Sequence, residues 1–325
     1  MARGGIIEAL TRLCRVSDAL KKEIAKAVVG QETTVELVLT SLIAGGHILL
    51  EGVPGLGKTL LVQAVARAAG LLYSRVQFTP DLLPMDITGS EMLDEAHGHR
   101  EMRFIKGPVF TNVLLADEIN RTPPKTQSAL LEAMQEKQVT SYGKTHDIPS
   151  PFLVMATQNP IEHEGTYPLP EAQLDRFLFY VKLTYPALAD EVTIAKSDAF
   201  GKLATISAVT DAKAILRFQE AAAEMPVSQS VAEYAVSLVR GLRPETAEHP
   251  KVKSFVSYGP GPRASQHLVI AAKAFAAVNG RDAVTKKEID AVLPAVLRHR
   301  IIINFQGLAE GHGFEDVLSW GHGKR

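Results

Sequence analysis

The stretch His47–Thr59, HILLEGVPGLGKT, decides the fold. His47-Ile48-Leu49-Leu50-Glu51 reads as a short apolar strand. Gly52-Val53-Pro54-Gly55-Leu56-Gly57-Lys58-Thr59 then meets every fixed position of G-x-x-x-x-G-K-[ST]. A run of helix period follows from Leu60 to Ala69, with Gly70 at the position that commonly ends a helix. Strand, glycine-rich loop and helix is the context a phosphate-binding loop requires. Its glycines let backbone N–H groups turn inward with no Cβ in the way, and the helix start adds partial positive charge. Gly52 through Leu60 are therefore the expected phosphate cradle. Lys58 would reach the β- and γ-phosphates, and the Thr59 hydroxyl would hold Mg²⁺. The stretch implies a nucleoside triphosphate site.

Farther along, Thr111–Glu118 reads as a buried strand ending in two acids. That places Asp117 and Glu118 at a strand's C-terminal end, where α/β sites lie. Asp117 would support the Mg²⁺ shell, and Glu118 would polarise the attacking water as general base. The competing reading is an acid pair capping the helix that Pro123-Pro124 opens; the phosphate loop upstream favours catalysis. Phe152–Thr157 is another buried strand, with Asn159 just past its end. An amide there can orient the lytic water, and an Asn-Pro turn is the alternative. Arg176, after the short helix at Pro170, is either a surface ion pair or a guanidinium offered to a neighbouring subunit's γ-phosphate. Arg263 opens a helix against its macrodipole, so it needs a partner, either a phosphate or a nearby acid. Val29-Gly30-Gln31 breaks two helical runs before the first strand. It is either an adenine contact or a plain helix–helix turn.

The 325 residues suggest two domains or one large domain with an appendage. Hydrophobic content of 46% and charged content of 22% are those of a globular protein, and the net charge of −1 exerts no global pull on nucleic acid or anionic membrane. A lone cysteine, Cys14, excludes an intrachain disulfide and a cysteine zinc site. No apolar run reaches the roughly 18 residues that span a bilayer, and the N-terminus lacks a signal peptide's apolar region. The expected location is cytoplasmic.

Two hairpins are expected as insertions, at 87–107 and 138–148. His97 and His99 sit near the tip of the first beside Asp94 and Glu95, where a solvated loop is favoured over a metal site. A short helix is expected from Thr79-Pro80-Asp81, limited by Pro84 and Gly89. After Tyr185-Pro186 the chain turns alanine-rich and helical, with helices near 188–199, 211–224, 230–240, 262–278 and 286–300. Thr285 and Glu288 form a capping box for the last, and Pro294 should kink it. Residues 243–253 read as a loop, and Phe314, Leu318 and Trp320 as a docking face in the tail. The division expected is 1–185 for the nucleotide-binding core and 186–325 for a helical lid and tail.

Five segments together, GVPGLGKT, LLADEINRTPPKTQSALLEAMQE, MATQNP, YPLPEAQLDRF and GPRAS, resemble those of MoxR-type AAA+ ATPases, in order across residues ~29–300. Both hairpin insertions match that clade, which includes the ATPase subunit of magnesium chelatase. The resemblance implies an α/β fold: a P-loop AAA+ core with a five-stranded parallel sheet in 5-1-4-3-2 order, plus an α-helical lid. It implies ATP and Mg²⁺ as cofactors, a homo-hexamer with nucleotide between subunits, and no fused partner domain. By position, Lys58 and Thr59 are Walker A, Asp117 and Glu118 Walker B, Asn159 sensor 1, Arg176 the arginine finger and Arg263 sensor 2. It further implies a chaperone-like remodeller or maturation factor for protein complexes or metalloenzymes, working with a von Willebrand factor A-domain protein. A magnesium-chelatase-type subunit, a nucleic-acid motor and a non-hydrolysing scaffold are the alternatives. Hairpin tips mixing acids with bases argue against nucleic acid. The absence of an N-K-x-D run favours ATP over GTP.

Overall fold

A computed structural model describes residues 3–94, 101–141, 143–161 and 165–321. Its centre is a parallel sheet of five strands: β1 (Ile48–Glu51), β2 (Tyr73–Gln77), β3 (Val113–Asp117), β4 (Leu153–Gln158) and β5 (Phe179–Lys182). The order is β2-β3-β4-β1-β5, the expected 5-1-4-3-2. Register is set by pairs such as Ile48 with Met155 and Phe179, and Leu115 with Met155.

Near-continuous apolar runs suit strands covered on both faces. Alternation divides each run between two cores. Ile48, Leu50, Val113, Leu115, Leu153 and Met155 point into one; Leu49, Leu114, Ala116, Val154 and Ala156 point into the other. The first core also takes in the N-terminal helices Arg3–Ile24 and Glu32–Ala44, the phosphate-loop helix Lys58–Ala68 and the helices after residue 211. Alanine-rich Pro262–Val278 is its axis. Ala271, Ala272, Ala274, Ala276 and Ala277 are buried, and their small side chains let Glu32–Ala44 and Lys286–Leu297 approach closely. The second core lies under helix Pro124–Glu136.

Both hairpins are present, Gly89–Asp94 with Glu101–Lys106 and Gln138–Ser141 with Lys144–Asp147. At the base of the first, Gly89 has φ +96°, and a Cβ there would lie 2.3 Å from the Ile105 carbonyl oxygen, so only glycine fits. The hairpins meet through aromatic rings: His146 stacks on Phe104 with centroids 4.0 Å apart. Glu95, His97 and His99 lie outside the described residues. Among the described residues, no three or more acids, histidines or cysteines cluster so as to hold a metal ion.

Several local expectations are corrected. The helix expected at Thr79 begins at Pro84 and runs to Thr88, because proline's fixed φ suits a first turn and Asp86 caps the Leu83 N–H. The run 188–199 breaks into Leu188–Ala195 and Ala199–Ala204, the second capped by the Asp198 carboxylate. Within 243–253, read as loop, helix Pro250–Phe255 begins on a proline. Strand Val256–Tyr258 then pairs with Ile302–Ile303, a partner too distant in sequence for local pattern to reveal. The Thr285–Glu288 capping box is present; helix Lys286–Leu297 holds Pro294 inside it and tightens into a 3₁₀ turn at Arg298–Arg300. The tail's docking face is satisfied within the chain. Helix Phe314–Gly321 buries Val317, the Arg298 guanidinium lies 4.3 Å over the Phe314 ring, and Trp320 stacks on His249. Among the described residues, no helix is long and apolar enough to cross a membrane.

Candidate nucleotide-binding site

β1 ends at Glu51, and the loop Gly52–Gly57 carries the chain into helix Lys58–Ala68. Gly55 and Gly57 take φ of +88° and +73°, conformations that strain any L side chain. The curl leaves the first amides of the helix without intrahelical acceptors, as at any helix start. The Lys58 ammonium donates to the Gly52 carbonyl, which holds it back across the mouth of the loop. Gln31 Nε2 donates to the Leu56 carbonyl in the loop at 2.8 Å. Val29 and Gly30 before it are half-buried, and the Gln31 Oε1 is buried with no partner.

The two acids follow β3. Asp117 is buried; its Oδ1 accepts from the Thr157 hydroxyl at 2.7 Å, and its Oδ2 from Arg75 Nη2 at 2.7 Å. Glu118 lies in the left-handed region, with φ 57° and ψ 51°. Such a conformation costs a non-glycine residue on the order of 1 kcal/mol. The Glu118 amide donates to the Thr157 hydroxyl at 2.8 Å, while its Oε2 accepts from Gln77 at 2.7 Å and Arg121 at 3.0 Å. Thr157 thus ties both acids to β4. Thr157, Arg75, Gln77 and Arg121 escaped the reading of the sequence. A hydroxyl inside an apolar strand was the available signal for Thr157. Arg75 and Gln77 alternate on β2, but only the Gln77–Asp117 register shows what they face.

Asn159 follows β4, which lies between β1 and β3, so it stands between the phosphate loop and the acids. It is 3% exposed. Its Oδ1 accepts from the Ile161 amide at 3.2 Å, the Asn-Pro turn of the alternative reading. Its Nδ2 is buried without a partner. The turn thus holds one end of the amide and leaves the other, Nδ2, without a partner.

Arg176 and Arg263 are not brought to this cluster. The loop, the acids and Asn159 all follow C-terminal strand ends, whereas Arg176 precedes β5, beside the start of β1 (Leu178 N–H to His47 carbonyl, 2.8 Å). In a parallel sheet those are opposite edges, about 13 Å apart over a four-residue strand. Arg263 found the acid of its two alternatives: Nη1 donates to Asp175 Oδ2 at 3.1 Å. Arg176 and Arg263 line one pocket of about 240 Å³ with Asp175, His47 and His267. Both histidines are neutral. His47 Nδ1 accepts from the Val154 N–H, so Nε2 carries the proton and donates to the Met134 carbonyl; burial lowers its pKa to about 4. Burial and the neighbouring Arg300 hold His267 at about 4 as well.

The sequence matches the ATPase family associated with various cellular activities (AAA) over residues 47–179 and the AAA lid domain over 250–319. Chaperone MoxR1 of Mycobacterium tuberculosis is 47% identical over 298 residues, covering 91% of this chain and 78% of MoxR1. The chain belongs to the MoxR family of AAA+ ATPases. Protein MoxR of Paracoccus denitrificans is 34% identical, over 85% of this chain and 86% of that protein. A crystal structure of a Cytophaga hutchinsonii protein superposes with a TM-score of 0.88 at 40% identity, over 97% of this chain and 95% of that one. The MoxR-type core and lid are thus shared along nearly the whole chain.

Proposed function

We propose that this MoxR-family chain hydrolyses ATP with Mg²⁺ in a homo-hexameric ring and uses the cycle as a chaperone-like remodeller. The observation that carries hydrolysis is the buried, unpartnered Asn159 Nδ2 between the phosphate loop and two strand-end acids. A buried donor without an acceptor costs about 1–3 kcal/mol, so a phosphate oxygen or water fits there. The donor set suits Mg²⁺: a threonine hydroxyl and a carboxylate are hard oxygen ligands, and Thr59 and Asp117 would hold the ion. When bound, Mg²⁺ neutralises charge on the phosphate oxygens.

The remaining steps belong to the chain. The first-turn amides and Lys58 bind the β- and γ-phosphates, for which Lys58 exchanges the Gly52 carbonyl. Asn159 orients the water. Glu118 takes a proton from that water as its oxygen attacks the γ-phosphorus and the bond to the ADP oxygen breaks, giving ADP and phosphate. Gln77 and Arg121 occupy one carboxylate oxygen of Glu118; its Oε1 accepts from neither. Arg176 and Arg263, at the far edge of their own sheet, serve the nucleotide of the next subunit, which makes a ring the active form.

The remodelling role draws on relatives named as chaperone and as MoxR. Its expected partners are a von Willebrand factor A-domain protein and a client complex or metalloenzyme in the cytoplasm. Glu118→Gln protein should retain ATP binding while turnover falls about 10²–10⁴-fold. Affinity capture on it with Mg-ATP should enrich such a partner. Normal turnover would overturn the hydrolytic assignment, and recovery of nucleic acid would overturn the remodelling role.

A further inference from the structure

One guanidinium ties the lid to the turn that carries Arg176 into β5. Arg300 follows helix Lys286–Leu297, and only 3% of its side chain is exposed. Its Nε donates to Asp175 Oδ1 at 2.7 Å. Its Nη2 donates to the carbonyls of Phe177 and Asp175 at 2.9 and 3.2 Å. Those carbonyls flank Arg176 in the chain, so Arg300 grips the backbone on both sides of it. The other oxygen of Asp175 accepts from Arg263. The same Nη2 lies 2.6 Å from His267 Nδ1, one helical turn beyond Arg263.

We propose that Arg300 is a positioning residue that sets Arg176 and Arg263 side by side as a pair aimed at the phosphates of a neighbouring subunit's nucleotide. This rests on the reading that the hydrolytic site is completed across a subunit boundary. A planar guanidinium has five donors in a rigid fork, which lets one side chain hold a carboxylate, two carbonyls and an imidazole together. A lysine ammonium offers three donors from a flexible stem and cannot. Charge points the same way: the Asp175 carboxylate is shared by two guanidiniums, Arg263 and Arg300, and Arg176 adjoins it in the chain. The surplus positive charge borders the pocket that Arg176 and Arg263 line, and an incoming phosphate is the chemistry that balances it.

The test is co-assembly of two defective chains. Arg300→Lys alone should lower kcat roughly 10- to 100-fold, with ATP affinity within about threefold of wild type. Mixed in equal amounts with Glu118→Gln, it should regain activity. About a quarter of interfaces in a random ring then join an intact nucleotide site to an intact arginine pair. Arg176→Ala mixed with Glu118→Gln is the reference. Recovery with Arg176→Ala but not with Arg300→Lys would overturn the positioning role. Recovery with neither would overturn the shared site itself. Should Arg300→Lys fail to fold, Asp175→Asn, equal in volume, takes its place, and its failure to recover activity would overturn the proposal equally. An unchanged kcat in Arg300→Lys would also sink it.

Discussion

At Asn159 and Glu118 the chain accepts a local penalty at each. Asn159 buries an amide donor without an acceptor, and Glu118 holds a left-handed backbone that most side chains avoid. Neither is a source of stability, and both lie at strand ends where the proposed reaction needs them. Removing the amide should therefore damage turnover far more than folding. Asn159→Ala gives up one hydrogen bond to the Ile161 amide and relieves one orphaned donor, two effects of similar size and opposite sign. We expect a change within about 1 kcal/mol in urea unfolding and a fall of about 10²–10³-fold in kcat. Loss of folding with turnover of the remaining protein intact would contradict this.

The hairpins are not independent extensions. The second follows helix Pro124–Glu136, and the first follows helix Pro84–Thr88, which is fastened to that same helix by the Thr126 hydroxyl on the Leu82 carbonyl. Farther out, Phe104 lies between His146, stacked at 4.0 Å, and Phe110, edge-on at 5.7 Å. A two-stranded hairpin is marginal alone in water, so each leans on the other. Phe104→Ala should speed amide hydrogen exchange in Lys144–Asp147, on the hairpin that does not carry the substitution. Aromatic pairs are worth roughly 0.5–1.5 kcal/mol beyond burial, which corresponds to a rise of about two- to tenfold. Unchanged exchange there would mean that the hairpins stand separately.

Across the whole molecule, three buried histidines are held neutral, and one of them joins lid to core. His47 sits beneath the sheet edge. His267 and His299 lie in the lid, the latter donating to the Phe177 carbonyl at 3.1 Å. Burial lowers the pKa of His47 and His267 to about 4 and that of His299 well below its ordinary 6.5. The unfolded chain binds these protons near 6.5 and the native one only at lower pH, about 4 for His47 and His267, so acid favours unfolding. Their contribution is intact above pH 6.5 and is lost as pH falls toward 4, by about 1.4 kcal/mol per pH unit for each group. Urea midpoints should hold steady from pH 8 to 7 and drop clearly by pH 5. A flat profile would show that these rings take up protons without cost.

Much was legible in the chain because it is encoded by contiguous residues. The phosphate loop needs only a strand, its glycines and a helix in succession, so residues 47–69 announced it unaided. Asp117, Glu118 and Asn159 declared themselves by ending apolar strands, and the strand order came with the resemblance these motifs carry. Pairings across the chain were not legible. Gln31 reaches Leu56, Arg75 reaches Asp117, and Arg300 reaches a residue 125 positions away. The polar segment that hides helix Pro250–Phe255 meets its strand partner only near Ile302. Nor could the sequence say on which edge of the sheet Arg176 and Arg263 stand. Sequence period reports which face of an element is apolar, since burial acts on each residue in turn. Which polar groups meet depends on how the elements stack, and that was decided only by tertiary packing.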